Sequence, residues 1–382
     1  MTTAPTLMQA NLLLRQGRYA EACEMFEALI KMQPRFLPYE QSYALARRRL
    51  SEGHNSCNST LPTCNPVDAI HPGSKSIETT KYRVFKVITP VLNGEAFIAI
   101  TLESILSQQG DFFIDYLIKD AGSTDQTMSV VLEYLGQVRA GDYPLRCSGI
   151  RFSAESRPDK GLYDGLKFAF ETPPWRNDPK NTIQTYLNAD DVMHPNAFQT
   201  VSHIFDSTPA QWVCGQIHVI DTSGCVIVTS SFPLSFAQED IVAGLHDGRS
   251  LYTIQQEGTF WLQELYQTVG GIDNSFKLAG DFDLWRRFAS RCELLALDKP
   301  LASFRSHQKQ LSKQIDQYRL EIDNSISDIE SVSPPSEKCL SFYIGTKAPQ
   351  RALQQKPGPV GFLASDGKLR EIAYIKRGWY GW

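Results

Sequence analysis

The sequence has no excess of positive charge, no long apolar run and no closely spaced cysteine pair, and each absence narrows what the chain can be. A formal net charge of -4, with no basic cluster interleaved with aromatics, argues against a nucleic-acid binder. No apolar run approaches the roughly 20 residues that span a bilayer, so no membrane span is expected. Met1 to Pro5 lack the charged and apolar regions of a leader, and the expected location is cytoplasmic. In that compartment Asn58-Ser59-Thr60 is not a glycan site. The eight cysteines include no CxxC pair, and the closest two, Cys57 and Cys64, lie in a polar stretch, which favours neither a zinc site nor a disulfide frame. What is present suffices for a core: 42% hydrophobic and 11% aromatic residues over 382 positions can build one sizeable α/β domain with appendages.

Two short apolar runs each end in an aspartate. Phe112-Phe113-Ile114-Asp115-Tyr116-Leu117-Ile118-Lys119-Asp120 leads into the small polar turn Ala121-Gly122-Ser123-Thr124-Asp125, and a helical segment begins near Gln126. Ile183-Gln184-Thr185-Tyr186-Leu187-Asn188-Ala189-Asp190-Asp191 is followed by His194-Pro195-Asn196 and then by Phe198, Val201, Ile204 and Phe205 at helical spacing. A carboxylate after such a strand lies at the C-terminal edge of a sheet, where ligands of open α/β folds bind, and it can accept hydrogen bonds from a nucleobase or ribose. Adjacent acids also suit Mg2+ or Mn2+, which take one or two carboxylates while substrate phosphates supply the rest. Plainer readings stand beside these: Asp120 caps its own turn, and one of Asp190 and Asp191 caps the helix after Pro195. Together the two aspartates point to a nucleotide diphosphate held by metal.

From about residue 84 to 312 the order of motifs resembles the family 2 glycosyltransferases, an inverting group with the GT-A fold. The resemblance is carried by Val87-Ile88-Thr89-Pro90-Val91-Leu92-Asn93-Gly94, by Lys119 to Asp125, and by Ser156-Arg157-Pro158-Asp159-Lys160-Gly161-Leu162-Tyr163-Asp164. It continues through Leu187 to Asp191, Ala279-Gly280-Asp281-Phe282-Asp283-Leu284-Trp285, and Phe304-Arg305-Ser306-His307 with Gln310-Leu311-Ser312. Such a resemblance implies a mixed, mostly parallel α/β sheet flanked by helices. It implies inverting transfer of a sugar from a nucleotide-diphosphate donor, expected to be UDP-linked, to a hydroxyl of a glycan, lipid-linked or protein acceptor, as in polysaccharide biosynthesis.

Residue by residue, the resemblance makes Thr89, Pro90, Asn93 and Asp120 contacts to the donor nucleotide. Asp159 and Lys160 would lie over the diphosphate or donor sugar, where a point cation suits phosphate oxygens. The family's acid-X-acid motif falls on Asn188, Ala189 and Asp190, so Asn stands where the first acid often is. Asp190 becomes the ligand of a divalent metal, Mn2+ or Mg2+, with His307 as the piece that closes on it. Asp281 matches the general base, Asp283 ranks second to it, and Glu257 and Trp261 lie on the acceptor side. Leu262 stands where the family often carries a basic residue.

The reaction needs a leaving diphosphate whose charge is neutralised, which metal and Lys160 would supply, and a nucleophile stripped of its proton, which Asp281 would supply. A base opposite the leaving group implies inversion. Plain structure could also explain these residues. Asp159 and Lys160 could be a solvated turn before a helix at Leu162 to Phe170, Gly280-Asp281 a good helix start, Trp261 a core aromatic and His307 a structural histidine. Two rival functions follow: a nucleotide-sugar binder without turnover, and a scaffold that works through its first fifty residues.

The chain divides into residues 1–50, 51–80, 81–312 and 313–382. In the first, Leu12 to Leu14, Gly17, Tyr19, Ala22, Phe26 and Pro34 are spaced like one tetratricopeptide helix pair, which cannot bury its own face and needs the main domain, a second copy or a partner protein. The second is rich in Ser, Asn, Thr, Pro and Gly and reads as a linker. An insert at residues 172–180 reads as a surface loop near the acceptor side. Beyond Ser312 a helix is expected over Ile315 to Ile329. The tail from Lys376 to Trp382 mixes aromatics with basic residues, so it either docks on the protein or rests at the inner face of a membrane.

Overall fold

In a computed structural model of the chain, the described residues are 82–327 apart from 174, 176–177, 231–235 and 309, together with 10, 13, 18–32, 47, 67–70, 360–363 and 369–372. Helix α1 (Tyr19–Met32) precedes β1 (Val67–Ile70), after which strands and helices alternate. They run β2 (Arg83–Val91), α2 (Ile98–Leu106), β3 (Gln109–Asp120), α3 (Thr127–Ala140), β4 (Arg146–Ser156), α4 (Leu162–Glu171) and β5 (Thr182–Tyr186). Nearly every residue of β2, the second half of β3 and all of β5 are buried. Continuous burial of Val, Ile, Phe and Tyr is what a parallel strand covered on both faces requires.

The expected mixed, mostly parallel sheet with helices on both faces is present. β2 pairs in parallel with β3 and with β5, and β3 with β4. Neighbouring strand residues face opposite ways: Val87 and Ile118 belong to one apolar cluster with α2, α3 and a later helix α5 (Ala197–Ser207). Ile88 and Leu117 belong to the other, with α4. Phe85 anchors the first cluster, stacked on Phe198 at 4.3 Å between ring centroids and edge-on to Phe112 at 5.0 Å.

The strand order β4-β3-β2-β5 has a functional consequence. The chain moves outward from β2 to β3 to β4 and then returns to lay β5 on the other side of β2. A crevice opens outside the carboxyl ends of strands where direction reverses, and Thr89, Asp120, Asp159 and Asp190 all lie at or just beyond those ends.

After β5 the chain forms β6 (Val192–Met193), α5, β7 (Trp212–Cys214), β8 (His218–Ile220), β9 (Val226–Thr229), α6 (Gln238–Val242) and β10 (Thr259–Leu262). Next come α7 (Gln263–Thr268), α8 (Gly280–Ala289), β11 (Leu295–Leu297), β12 (Ala302–Arg305), a 3-10 turn at Leu311–Lys313 and α9 (Ile315–Ser327). β10 joins the main sheet antiparallel to β5, followed by β7 and β11. β6, β12, β8 and β9 form a second sheet of four strands. β12 lies antiparallel to β6, which returns the residues after Arg305 to the loop that carries Asp190.

The flanks differ in part from expectation. Ala22, Phe26 and Leu29 on α1 are buried in the first apolar cluster, so this helix covers its face against the main domain; most of the expected repeat lies outside the described residues. Within the expected linker, Val67–Ile70 forms β1 and pairs antiparallel with β4, the strand that would otherwise be an open edge. At the other edge β13 (Val360–Leu363) and β14 (Leu369–Ile372) form a hairpin beside β11, in a stretch read only as tail. The segment from Lys376 to Trp382, and with it the membrane-interface reading, lies outside the described residues, as does Asn58.

The described residues of the insert at 172–180 are tied to the central strands and to α7, where the Glu264 amide donates to the Pro179 carbonyl at 3.1 Å. The Arg151 guanidinium donates to the Pro173 carbonyl at 3.0 Å and forms a bidentate pair with Asp115, both contacts at 2.7 Å. The Trp175 amide donates to Asp115 Oδ2 at 2.9 Å, and buried Lys86 caps the last carbonyls of α4 at Phe170 and Thr172. A helix-to-strand connection in a parallel sheet leads to the start of the next strand, so it belongs at the end opposite the crevice.

Candidate active site

The loops after β2 and β3 lock together before any ligand arrives. Asn93 takes a left-handed φ of 53°, its amide donates to Ser123 Oγ at 2.7 Å, and its Oδ1 accepts from the Thr124 amide at 2.9 Å. Asp120, wholly buried, accepts from the amides of Gly122 (3.1 Å) and Ser123 (3.0 Å) and from the hydroxyls of Ser123 and Ser156, both at 2.5 Å. Three of those donors crowd Oδ2, and the carboxylate keeps no exposed surface. The expectation of a direct nucleotide contact is therefore corrected for this conformation: Asp120 shapes the loop. Thr89 is likewise interior, its hydroxyl 3.0 Å from that of buried Tyr116, while Pro90 is half-buried at the strand end.

Beyond β4 the chain folds over Lys119, which the sequence reading missed. Its buried ammonium donates to the carbonyls of Asp120 (3.0 Å) and Arg157 (2.9 Å) and lies 3.4 Å from Asp159 Oδ2. Asp159 also accepts the Gly161 amide at 3.0 Å. Asp159 is thus engaged in holding its loop, whereas the Lys160 side chain is exposed. In the sequence Lys119 closes a mainly apolar strand and opens the motif Lys119 to Asp125.

At the end of β5 the expected metal ligands meet. Asp190 Oδ2 and His307 Nε2 lie 2.7 Å apart although 117 residues separate them, and their side chains keep 25% and 17% of their surface open to solvent. The carboxylate oxygen suits Mn2+ or Mg2+ when phosphate oxygens complete the shell, and the imidazole nitrogen is the softer neighbour. Among the described residues no group of three or more His, Cys, Asp or Glu could hold a metal, so a cation here would depend on the donor's phosphates. Arg305, also missed, builds this corner: wholly buried, it donates from its amide to Asp191 Oδ1 (2.7 Å) and from Nε to the Asp190 carbonyl (2.7 Å). Its guanidinium lies over the Phe97 ring at 4.7 Å.

Behind Asp190 sits a pair of buried acids. Burial pushes the Asp191 carboxyl well above the ordinary range, and the neighbouring charges of Asp190 and Glu257 push it further. Glu257 is also raised by burial, up to about 7, with Asp281 and Asp190 adding to the rise. Two buried carboxyls this close share a proton between them. Asn188 lies between them, its amide nitrogen 3.3 Å from Asp191 and 3.4 Å from Glu257. An acid at position 188 would add a third negative charge to this pocket, which gives a physical reason for the asparagine. Ala189 is buried, and its carbonyl accepts from Thr101 at 2.8 Å.

Asp281 stands in the first turn of α8. Its carboxyl accepts from the Phe282 amide at 2.9 Å and lies 3.1 Å from the Tyr163 hydroxyl, and burial pushes it up to about 6. Gly280 allows this contact, because a Cβ there would meet the Tyr163 ring at 2.7 Å. Asp283 and Trp261 are corrections. Asp283 lies two residues on, across the helix from Asp281, and is paired with Arg287 at 2.5 Å. That arginine also ties down the carbonyls of Val269 and Gly271. Trp261 is wholly buried in the second cluster, with Nε1 donating to Gln184 at 3.0 Å, so no ring face is open to a sugar.

Asp190, Glu257 and Asp281 come from three separate segments, and the charges of Asp190 and Asp281 both reach Glu257. Among solved structures, the chain resembles S. aureus TarS 1–349 in complex with UDP-GlcNAc, at 15% identity over 65% of this chain and 67% of that one, with a TM-score of 0.46. TarS 1–349 without ligand gives 15% identity and a TM-score of 0.44, and the chain covers 66% of its length. Mannosyltransferase PcManGT from Pyrobaculum calidifontis, in complex with GDP-Man and Mn2+, gives 14% identity over 66% of each chain and a TM-score of 0.41. No curated protein matches. Residues 86–247 match the model of glycosyl transferase family 2, so this stretch of the central domain is similar to that family.

Proposed function

We propose that the chain transfers a sugar from a nucleotide-diphosphate donor to a hydroxyl acceptor, with inversion and with the help of a divalent cation. The convergence of Asp190, Asp191, Glu257 and Asp281 carries this reading, because the charge of Asp190 raises both Asp191 and Glu257 and a cation at Asp190 relieves that repulsion. Asp190 and His307 would hold Mn2+ or Mg2+ against the diphosphate, and the ion would neutralise charge on the leaving group. Lys160, exposed beside the same crevice, would add a second cation.

Asp281 would take the acceptor's proton. A value of about 6 leaves it ionised at neutral pH yet more basic than an ordinary aspartate, which is what a general base needs. Glu257, on the acceptor side, acts by holding the Asn188–Asp191 loop in place. As a base on the face opposite the leaving diphosphate, Asp281 favours one displacement and hence inversion.

The test is release of UDP from UDP-GlcNAc and of GDP from GDP-mannose, the donors held by the two ligand-bound neighbours, with and without Mn2+. Metal-dependent release that falls by about 10²–10⁴ in Asp281→Asn is expected. NMR of the first-formed product should give the opposite anomer to the donor. Turnover undiminished in Asp281→Asn, or retained configuration, would refute the mechanism.

A further inference from the structure

We propose that α9, which lies beyond the family match, is a working part of the site, with Glu321 as the positioning residue that fixes the start of α8 and so the place of Asp281. This rests on the reading of Asp281 as the base. Glu321 Oε2 accepts from three successive amides, those of Lys277 (3.1 Å), Leu278 (2.9 Å) and Ala279 (3.0 Å). Its other oxygen accepts again from Lys277 at 3.2 Å. These amides immediately precede Gly280, where α8 begins, and a carboxylate there is favoured by the helix dipole. Tyr163 grips the same backbone from the other side, its hydroxyl 3.0 Å from the Leu278 carbonyl and 3.2 Å from the Asp281 amide. The segment that presents Asp281 is thus held between α4 and α9.

α9 is built to stay in place. Ile322 is wholly buried against Ala279 and Phe282. Arg249 pairs with Asp323 through two contacts, one at 3.1 Å, and Arg286 donates to the Ser325 carbonyl at 3.1 Å. Gly244, at a φ of 74°, lets Ile326 approach so closely that a Cβ would meet it at 2.8 Å. Tyr318 lies one turn before Glu321 on the same helix face. It packs against the small cluster of Ala279, Phe282 and Ile322. α9 therefore supplies a clamp on the backbone that presents the base.

A residue that only orients the base changes turnover, not donor binding. In Glu321→Ala, release of UDP from UDP-GlcNAc, or of GDP from GDP-mannose, should fall by about 10–100-fold at saturating donor, the usual effect of a displacement near 1 Å. The Kd for UDP or GDP with Mn2+ should stay within about 2-fold, since the donor loops do not touch Glu321. Glu321→Gln keeps acceptor oxygen and should restore most of the rate, with the acid limb of the pH profile still set by Asp281. Asp323→Ala loosens the same helix without touching the clamp and should stay within about 2-fold of wild type.

Wild-type turnover in Glu321→Ala, or equal losses in Glu321→Ala and Asp323→Ala, would overturn the proposal. Where the alanine variant fails to fold, Glu321→Asp replaces it: lower turnover with unchanged Kd supports positioning, and unchanged turnover refutes it. Wild-type turnover in Asp281→Asn would instead remove the base assignment beneath the proposal, a result independent of any Glu321 variant.

Discussion

Asp281→Asn should make the folded chain more stable at alkaline pH while it removes activity. Burial raises this carboxyl from the ordinary aspartate value to about 6 in the folded state. At about 1.4 kcal/mol per tenfold change in proton affinity, the ionised folded form is disfavoured by ~3 kcal/mol. Below about pH 4 the carboxyl is protonated whether folded or unfolded and costs nothing. Between about pH 4 and 6 the unfolded chain ionises first, so stability falls as pH rises, and above about pH 7 the full cost is present. Asparagine is the same size and can accept from the Phe282 amide and Tyr163, but its own amide needs an acceptor, which reduces the gain to ~1–2 kcal/mol. The assay is denaturant unfolding of both proteins at pH 4.5 and pH 8. A gain confined to the higher pH, together with lost turnover, is expected. Equal stability at both pH values would mean that the carboxyl is not desolvated and would remove the reason for treating it as a tuned base.

Two further substitutions separate structural from binding roles. Trp261→Ala should cost ~3–5 kcal/mol in denaturant unfolding, because the ring is wholly buried and its Nε1 is bonded; wild-type stability with weakened acceptor affinity would return the ring to the acceptor side. Asp120→Ala should leave four donors without their acceptor, speed hydrogen exchange at Gly122 and Ser123 and weaken UDP or GDP binding by about 10-fold. Unchanged exchange in that loop would refute its organising role.

The runs 112–120 and 183–186 were legible as strands because burial on both faces demands nearly unbroken apolar sequence. The positions of Asp190 and Asp281 were likewise legible, since each ends a strand or opens a helix in a recognisable motif order. What each carboxyl touches was not. Asp120 and Asp190 look alike in sequence, yet one is filled by loop donors and the other is open beside His307. Trp261 was misjudged because an aromatic run carries no sign of which face meets solvent. Glu321 left no trace, because it lies past the last family motif and its partners are backbone amides, which have no side-chain signature.

The central claim is that Asp190 and His307 hold a divalent cation against a donor diphosphate. Its most direct test is the thermal stability of wild type, Asp190→Ala and His307→Ala with UDP, GDP, UDP-GlcNAc and GDP-mannose, each with and without Mn2+. The account predicts a nucleotide-specific rise in wild-type Tm that needs Mn2+, disappears in Asp190→Ala and is weakened in His307→Ala. A rise of equal size without metal, or one that survives in Asp190→Ala, would contradict it.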